Sequence, residues 1–137
     1  MLNKKNILVK EVQIPLSKMP ILKENSLLKE ALEQMSKKKY GICFCVKNNG
    51  KLLGILTDGD IRRNLLDIQK PFSALLNDDI IRHINKKPLK VKPEQKLYSA
   101  IKLMEKKLIW DLPVVDKKNK LIGMLHLHPI VKILQKK

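Results

Sequence analysis

Aromatic side chains are scarce in this sequence, which has one Trp, two Tyr and two Phe among 137 residues. Base recognition in single-stranded nucleic acids leans on stacking against such rings and against Arg, so most of that equipment is missing. Arg is equally thin, present only as Arg62, Arg63 and Arg82. The two cysteines, Cys43 and Cys45, are too few for a disulfide framework and, two apart on an extended strand, are poorly placed to bridge one another. A reducing, cytoplasmic setting is expected. No apolar run approaches the roughly 18 residues of a membrane span. The opening Met-Leu-Asn-Lys-Lys also passes to Lys10 and Glu11 without a signal-peptide core.

Acidic residues are outnumbered, 13 against 29 Lys and Arg, giving a formal charge of +16. The excess is spread along the chain, +6 over residues 1–69 and +10 over residues 70–137. A solvated Lys-rich surface accounts for this better than a dedicated nucleic-acid face, and neither nucleic acid nor membrane is the expected partner. An apolar fraction of 44% is enough for a core, and the length allows one ordinary domain or two very small ones. Large multidomain enzymes are excluded.

What the sequence does contain is a repeat. With an offset of 69 and no gaps, residues 28–66 match residues 97–135 at 12 of 39 positions, where chance would give roughly 4 in a chain so rich in Leu and Lys. Leu28, Ala31 and Met35 fall on Leu97, Ala100 and Met104; Lys51, Leu52, Gly54 and Leu56 fall on Lys120, Leu121, Gly123 and Leu125. Each copy opens with a short extended segment, Pro20-Ile21-Leu22 or Pro88-Leu89-Lys90-Val91, since Pro suits a strand's first position. A helix follows in each. In the first copy Ser26 is expected to cap it and Leu27, Leu28, Ala31, Leu32 and Met35 form its apolar stripe; in the second, after Pro93, the stripe is Leu97, Ala100, Ile101, Met104 and Leu108. The Lys runs at 37–39 and 106–107 fit helix C-termini, where cations complement the dipole.

Then come two strands joined by a turn: Ile42–Val46 with Leu52–Leu56, and Leu112–Val115 with Leu121–Leu125. Asn48-Asn49-Gly50 is a hairpin signal because Asn and Gly accept positive φ. A last short helix carries Ile61, Leu65 and Leu66, or Ile130, Val131 and Leu134. The predicted fold is α+β, two βαββα units packed sheet to sheet as a pseudo-twofold pair, because a unit of this size buries too little surface alone. The expected boundaries are an N-terminal arm at 1–18, a first unit at 19–69, a linker at 70–87 and a second unit at 88–137.

These features resemble a CBS domain pair, the Bateman module. The resemblance covers residues 19–137, and Gly54-Ile55-Leu56-Thr57-Asp58-Gly59-Asp60 matches the family's Gly-apolar-x-Thr/Ser-x-x-Asp pattern, which lines a nucleotide cleft. Together with Gly123-Met124-Leu125-His126-Leu127-His128, it is also similar to the CBS pair appended to bacterial D-arabinose-5-phosphate isomerases of Kdo biosynthesis. Related pairs precede some sugar nucleotidyltransferases. The isomerase's catalytic domain has no counterpart in these residues, so its activity does not carry over.

Elementary chemistry supports the same residues. A carboxylate can accept both hydroxyls of a ribose, which suits Asp60. The Thr57 hydroxyl and the free amides of the following helix can face phosphate, and Arg62 and Arg63 add a guanidinium fork. The plainer role for Thr57 or Asp58 is an N-cap, and both roles can coexist. On the ligand reading, Asp60→Ala abolishes binding and leaves the melting temperature almost unchanged. The resemblance places base recognition at backbone groups before Ile42, around Gly41, and before Leu112, with Tyr40 and Trp110 near the base. In the second copy His126 replaces Thr57 and Pro129 replaces Asp60, so only one intact site is expected. Pro129 makes an ordinary first helical residue, and His126 and His128 would offer polar contacts to a phosphate or acid group.

His-x-His with His83 as the only other His does not complete a zinc set, and no metal or required cofactor is expected. Cys43 and Cys45 align with Leu112 and Val114 and read as core. No carboxylate pair, Gly-rich phosphate loop or Ser-His-Asp order suggests catalysis, so the chain is not expected to be an enzyme. The resemblance implies a regulatory module sensing AMP, ATP or a sugar nucleotide such as CMP-Kdo. It further implies a homodimer controlling a sugar-phosphate isomerase or nucleotidyltransferase domain. The alternative is a basic scaffold for RNA or an acidic protein with degenerate nucleotide sites.

Overall fold

The computed structural model describes residues 6–135; residues 1–5 of the expected arm and residues 136–137 of the second repeat lie outside them. In chain order the elements are α1 (Val9–Val12), β1 (Ile14–Pro15), β2 (Ile21–Lys23), α2 (Leu28–Lys38), β3 (Ile42–Val46), β4 (Leu52–Thr57), α3 (Asp58–Asp67), α4 (Phe72–Leu76), α5 (Leu97–Lys107), β5 (Asp111–Val115), β6 (Leu121–His126) and α6 (Leu127–Gln135). The strands form two three-stranded sheets, β2-β3-β4 and β1-β6-β5. Two compact units result, one from Lys18 to Pro88, the other combining residues 6–17 with residues 89–135. Among the described residues no helix is long and apolar enough to cross a membrane.

In the unit from Lys18 to Pro88, β2 runs parallel to β3 and β3 antiparallel to β4. The whole of β3 is buried and reads as an unbroken apolar run, whereas β4 alternates buried and half-buried positions. Leu28, Ala31 and Met35, spaced three and four apart, put one face of α2 onto a core with Leu22, Cys43, Cys45 and Leu56. Burial pushes the Cys43 thiol up to about 12 and that of Cys45 up to about 11. Both therefore stay protonated at neutral pH and behave as small apolar residues rather than nucleophiles.

Ser26 does not cap α2. The helix begins one residue too late for it, with Leu27 at the N-cap and the Glu30 carboxylate accepting the Leu27 amide at 3.2 Å. Ser26 is instead buried, and its carbonyl accepts the Ile80 amide at 2.8 Å. That bond belongs to residues 70–87, expected as a linker, which the structure folds into the unit. Leu75 and Ile80 join its core, and Ile55 and Asn85 exchange backbone hydrogen bonds of 3.1 and 2.7 Å. His83, buried, lies 2.9 Å from Asp78 Oδ2 and 3.1 Å from the Asn64 amide nitrogen on α3. Hydrogen bonds from Lys70 and His83 hold the Asp78 carboxyl below the usual carboxylate range. This cluster fastens the far end of α3 to the 78–83 turn.

In the other unit the segment before Ser17 is structural. Val9 is fully buried, the Leu97 amide donates to the Ile7 carbonyl at 2.8 Å, and β1 pairs antiparallel with β6. The expected strand at Pro88–Val91 shrinks to a single bridge between Val91 and Val114. The first repeat explains why: there the Phe44 amide donates to the Pro20 carbonyl at 3.0 Å, and Phe44 is replaced 69 residues on by Pro113, which has no N–H to give. Leu108 also departs from expectation. It is not part of the helical stripe but the residue that ends α5, left-handed at φ 55 and 85% exposed, the counterpart of Lys39 at φ 66. The two hairpin turns match in the same way, Gly50 at φ 88 corresponding to Asn119 at φ 64.

Candidate functional site

The β3–β4 hairpin delivers the chain into α3 at Thr57, which sits opposite Ile42 in the ladder. The Asp58 amide donates to the Gly41 carbonyl at 2.9 Å, tying the first turn of α3 to the residue before β3. A Cβ at position 41 would lie 2.6 Å from Asp58 Oδ2, so the absence of a side chain there is what lets the Asp58 carboxylate lie against the backbone. Gly41, Ile42, Thr57, Asp58 and Asp60 therefore meet at one corner of the unit.

Thr57 and Asp60 form a reciprocal cap. The Asp60 amide donates to Thr57 Oγ1 at 3.2 Å, while the Thr57 amide and hydroxyl each reach Asp60 Oδ2 at 3.0 Å. The other oxygen, Oδ1, accepts from Arg63 Nη2 at 2.8 Å. The expected fork of Arg62 and Arg63 is thus split: Arg63 folds back onto Asp60, whereas Arg62 is exposed on the helix. The cap also corrects the expectation that Asp60→Ala leaves stability untouched, because Asp60 holds two donors of the first turn.

Beside this corner lies a cleft of about 450 Å³ lined by Leu32, Met35, Ser36, Lys39, Tyr40, Gly41 and Asp58. The second repeat has a cleft of about 310 Å³ lined by Ile101, Met104, Glu105, Leu108, Ile109, Trp110 and Leu127. Every residue of one lining stands 69 positions from its counterpart in the other. The repeat has kept the cleft and changed its chemistry. Lys39, Tyr40, Gly41 and Asp58 give way to Leu108, Ile109, Trp110 and Leu127, turning a polar wall into an apolar one.

The second repeat differs at the corner as well. His126 Nδ1 lies 2.6 Å from Asp111 Oδ1, its partner across the β5–β6 ladder. Asp111 was not singled out by sequence, although it stands 69 residues from Ile42 and so marks where the two copies diverge. His128 does not share a strand face with His126, because β6 ends at His126 and His128 is exposed in the first turn of α6. Pro129 is the third helical residue rather than the first. It is tolerated there because amides of the first turn have no intrahelical partner to lose.

Residues 9–67 and 78–136 each match the CBS domain family. An uncharacterized protein of Helicobacter pylori is 33% identical over 116 residues, 84% of this chain and 34% of its own length. An arabinose 5-phosphate isomerase of Francisella tularensis is 30% identical over 121 residues, 85% of this chain and 34% of its own. The chain thus spans about a third of the length of the curated relatives it matches. CBSX2, a CBS-pair protein of Arabidopsis thaliana, has a crystal structure in complex with AMP that is similar with a TM-score of 0.82 and 26% identity, over 93% of this chain and 96% of that one.

Proposed function

This chain belongs to the CBS domain family, as a tandem pair of repeats, and we propose that it is a regulatory module whose first repeat binds an adenine nucleotide at the Gly41–Thr57–Asp60 corner. The carrying observation is the Asp60 carboxylate, fixed at the positive end of α3 by Thr57 and flanked by the Arg63 guanidinium. A ribose diol needs such an acceptor, and a phosphate needs the amides and cation beside it. Gly41 and Ile42 supply backbone groups for a base, and Asp58 and Tyr40 border the adjoining cleft. The AMP complex of CBSX2 supports the ligand class. His126 and His128 offer only polar contacts, since Pro129 replaces the ribose carboxylate in the second repeat.

The finer assignment follows the isomerase relative. A sugar nucleotide such as CMP-Kdo offers the same ribose and phosphate, and the regulated partner is a sugar-phosphate isomerase or nucleotidyltransferase domain in a cytoplasmic homodimer. Ligand binding transmits a signal only if two states of that assembly differ in affinity for it.

Calorimetric titration of the full chain with AMP, ATP, CMP and CMP-Kdo, at about 50 and about 200 mM salt, tests this reading. One nucleotide should bind saturably with only a few-fold loss at the higher salt, whereas phosphate-backbone binding of RNA weakens by orders of magnitude over that range. No heat with any of the four, together with steeply salt-dependent RNA binding, would replace the sensor by a basic scaffold.

A further inference from the structure

We propose that Arg63 is a resident competitor for the Asp60 carboxylate, and that it makes this corner demand a phosphoryl group on the nucleoside it accepts. The inference rests on Asp60 as the ribose-holding residue and adds a selection rule to it. In the structure neither carboxylate oxygen is idle: Oδ2 is engaged by the Thr57 amide and hydroxyl, and Oδ1 by Arg63 Nη2 at 2.8 Å. Only the second engagement is dispensable to the helix cap. The Arg63 side chain is 55% exposed and that of Asp60 26% exposed, so their ion pair is weak enough to be exchanged.

The guanidinium is also placed where a phosphate would find it. It lies over the first turn of α3, with Nη1 and Nη2 3.2 and 3.3 Å from where a Cβ on residue 59 would be, a space left open by Gly59. Of the first three amides of α3, that of Asp58 serves Gly41 and that of Asp60 serves Thr57. The Gly59 amide stands outside both pairs, and the guanidinium lies against the open Cβ side of the same residue. An anion held by that amide and by the helix dipole is therefore within reach of Arg63.

With both acceptor sites of Oδ2 filled and one of the two on Oδ1, a ribose diol finds a single open site, so a nucleoside without phosphate can seat both hydroxyls only by displacing Arg63, and it returns nothing to the guanidinium. A nucleoside monophosphate exchanges one charged hydrogen bond for another, releasing Oδ1 to the ribose as Arg63 turns to the phosphate. The same side chain thus opposes adenosine and favours AMP.

Titration calorimetry of the full chain with AMP and adenosine separates these roles, using wild type, Arg63→Ala, Arg63→Lys and Arg82→Ala. Arg63→Ala should weaken AMP by about tenfold or more, the loss of a charge-assisted contact, and tighten adenosine by about twofold to fivefold, the release of an exposed pair. Changes of opposite sign cannot come from a merely loosened helix. Arg63→Lys should keep part of the AMP affinity, and Arg82→Ala, which removes the same charge elsewhere, should leave the AMP-to-adenosine ratio as it was. If wild type binds AMP and Arg63→Ala weakens both ligands in parallel, or changes neither, the competitor role is wrong while the nucleotide reading stands. If wild type binds neither ligand, both fall.

Discussion

Asp60→Ala is expected to reduce nucleotide affinity by at least about a hundredfold, because two ribose hydroxyls lose a charged acceptor at once. It should also lower stability by about 1 kcal/mol, since the Thr57 amide and hydroxyl lose the partner that closes the first turn of α3. The two effects can be separated. Asn at position 60 keeps an oxygen for the Thr57 amide but loses the charge and one strong acceptor, so Asp60→Asn should restore most of the stability and little of the affinity. Thermal melts read the first quantity and calorimetry the second. If Asp60→Ala lost the predicted stability and bound nucleotide as wild type does, Asp60 would be a helix cap and nothing more.

Gly54→Ala should give the largest loss of stability. In the sequence pattern Gly54 looks like part of the ligand motif, yet its neighbours assign it a structural task. A Cβ there would lie 2.4 Å from the Asn85 carbonyl oxygen and 3.0 Å from its carbon, both backbone atoms with little freedom to retreat. The methyl would have to break the paired hydrogen bonds between Ile55 and Asn85. Overpacking and two lost bonds together should cost about 3 kcal/mol, on the order of 10 °C in the melting temperature. Gly50→Ala meets nothing within 4 Å and suffers only its positive φ, so it should cost about 1 kcal/mol. A melt of Gly54→Ala within about 2 °C of wild type would show that the 85 segment does not hold β4 in solution.

These glycines show which parts of the molecule were legible in the sequence. The repeat, both helical stripes and both hairpins follow from local spacing, and the structure has Leu28, Ala31 and Met35 buried as their three-and-four spacing requires. Features set by partners distant in the chain were not legible. Nothing near Leu75 and Ile80 announces that a presumed linker supplies core residues to the first unit. Nothing near Val9 announces that a polar arm completes the second. The loss of the second opening strand was readable in principle, because Pro113 stands where Phe44 donates its amide. Leu108 misled because apolar character at helical spacing ordinarily means burial, and only the left-handed turn shared with Lys39 puts it outside the helix.

At the site, the residue types were readable and their pairings were not. Thr57, Asp58 and Asp60 could be picked out by motif, but the occupation of both Asp60 oxygens depends on how Arg63 folds over Gly59. The matched linings of the two clefts carry a related lesson. The repeat retains the lining positions of the pocket but not their polarity: Asp58 gives way to Leu127 and Gly41 to Trp110, while the flanking strands and helices recur. The His126–Asp111 pair is consistent with this, occupying a corner whose counterpart holds Thr57 beside Ile42.

Amide NMR during an AMP titration locates the ligand without altering any residue. Saturable shifts should concentrate at Gly41, Thr57, Gly59 and Asp60, with the apolar lining at Leu108, Ile109 and Trp110 left unmoved. Shifts absent from the first turn of α3, or centred on the second repeat, would contradict binding at the Gly41–Thr57–Asp60 corner.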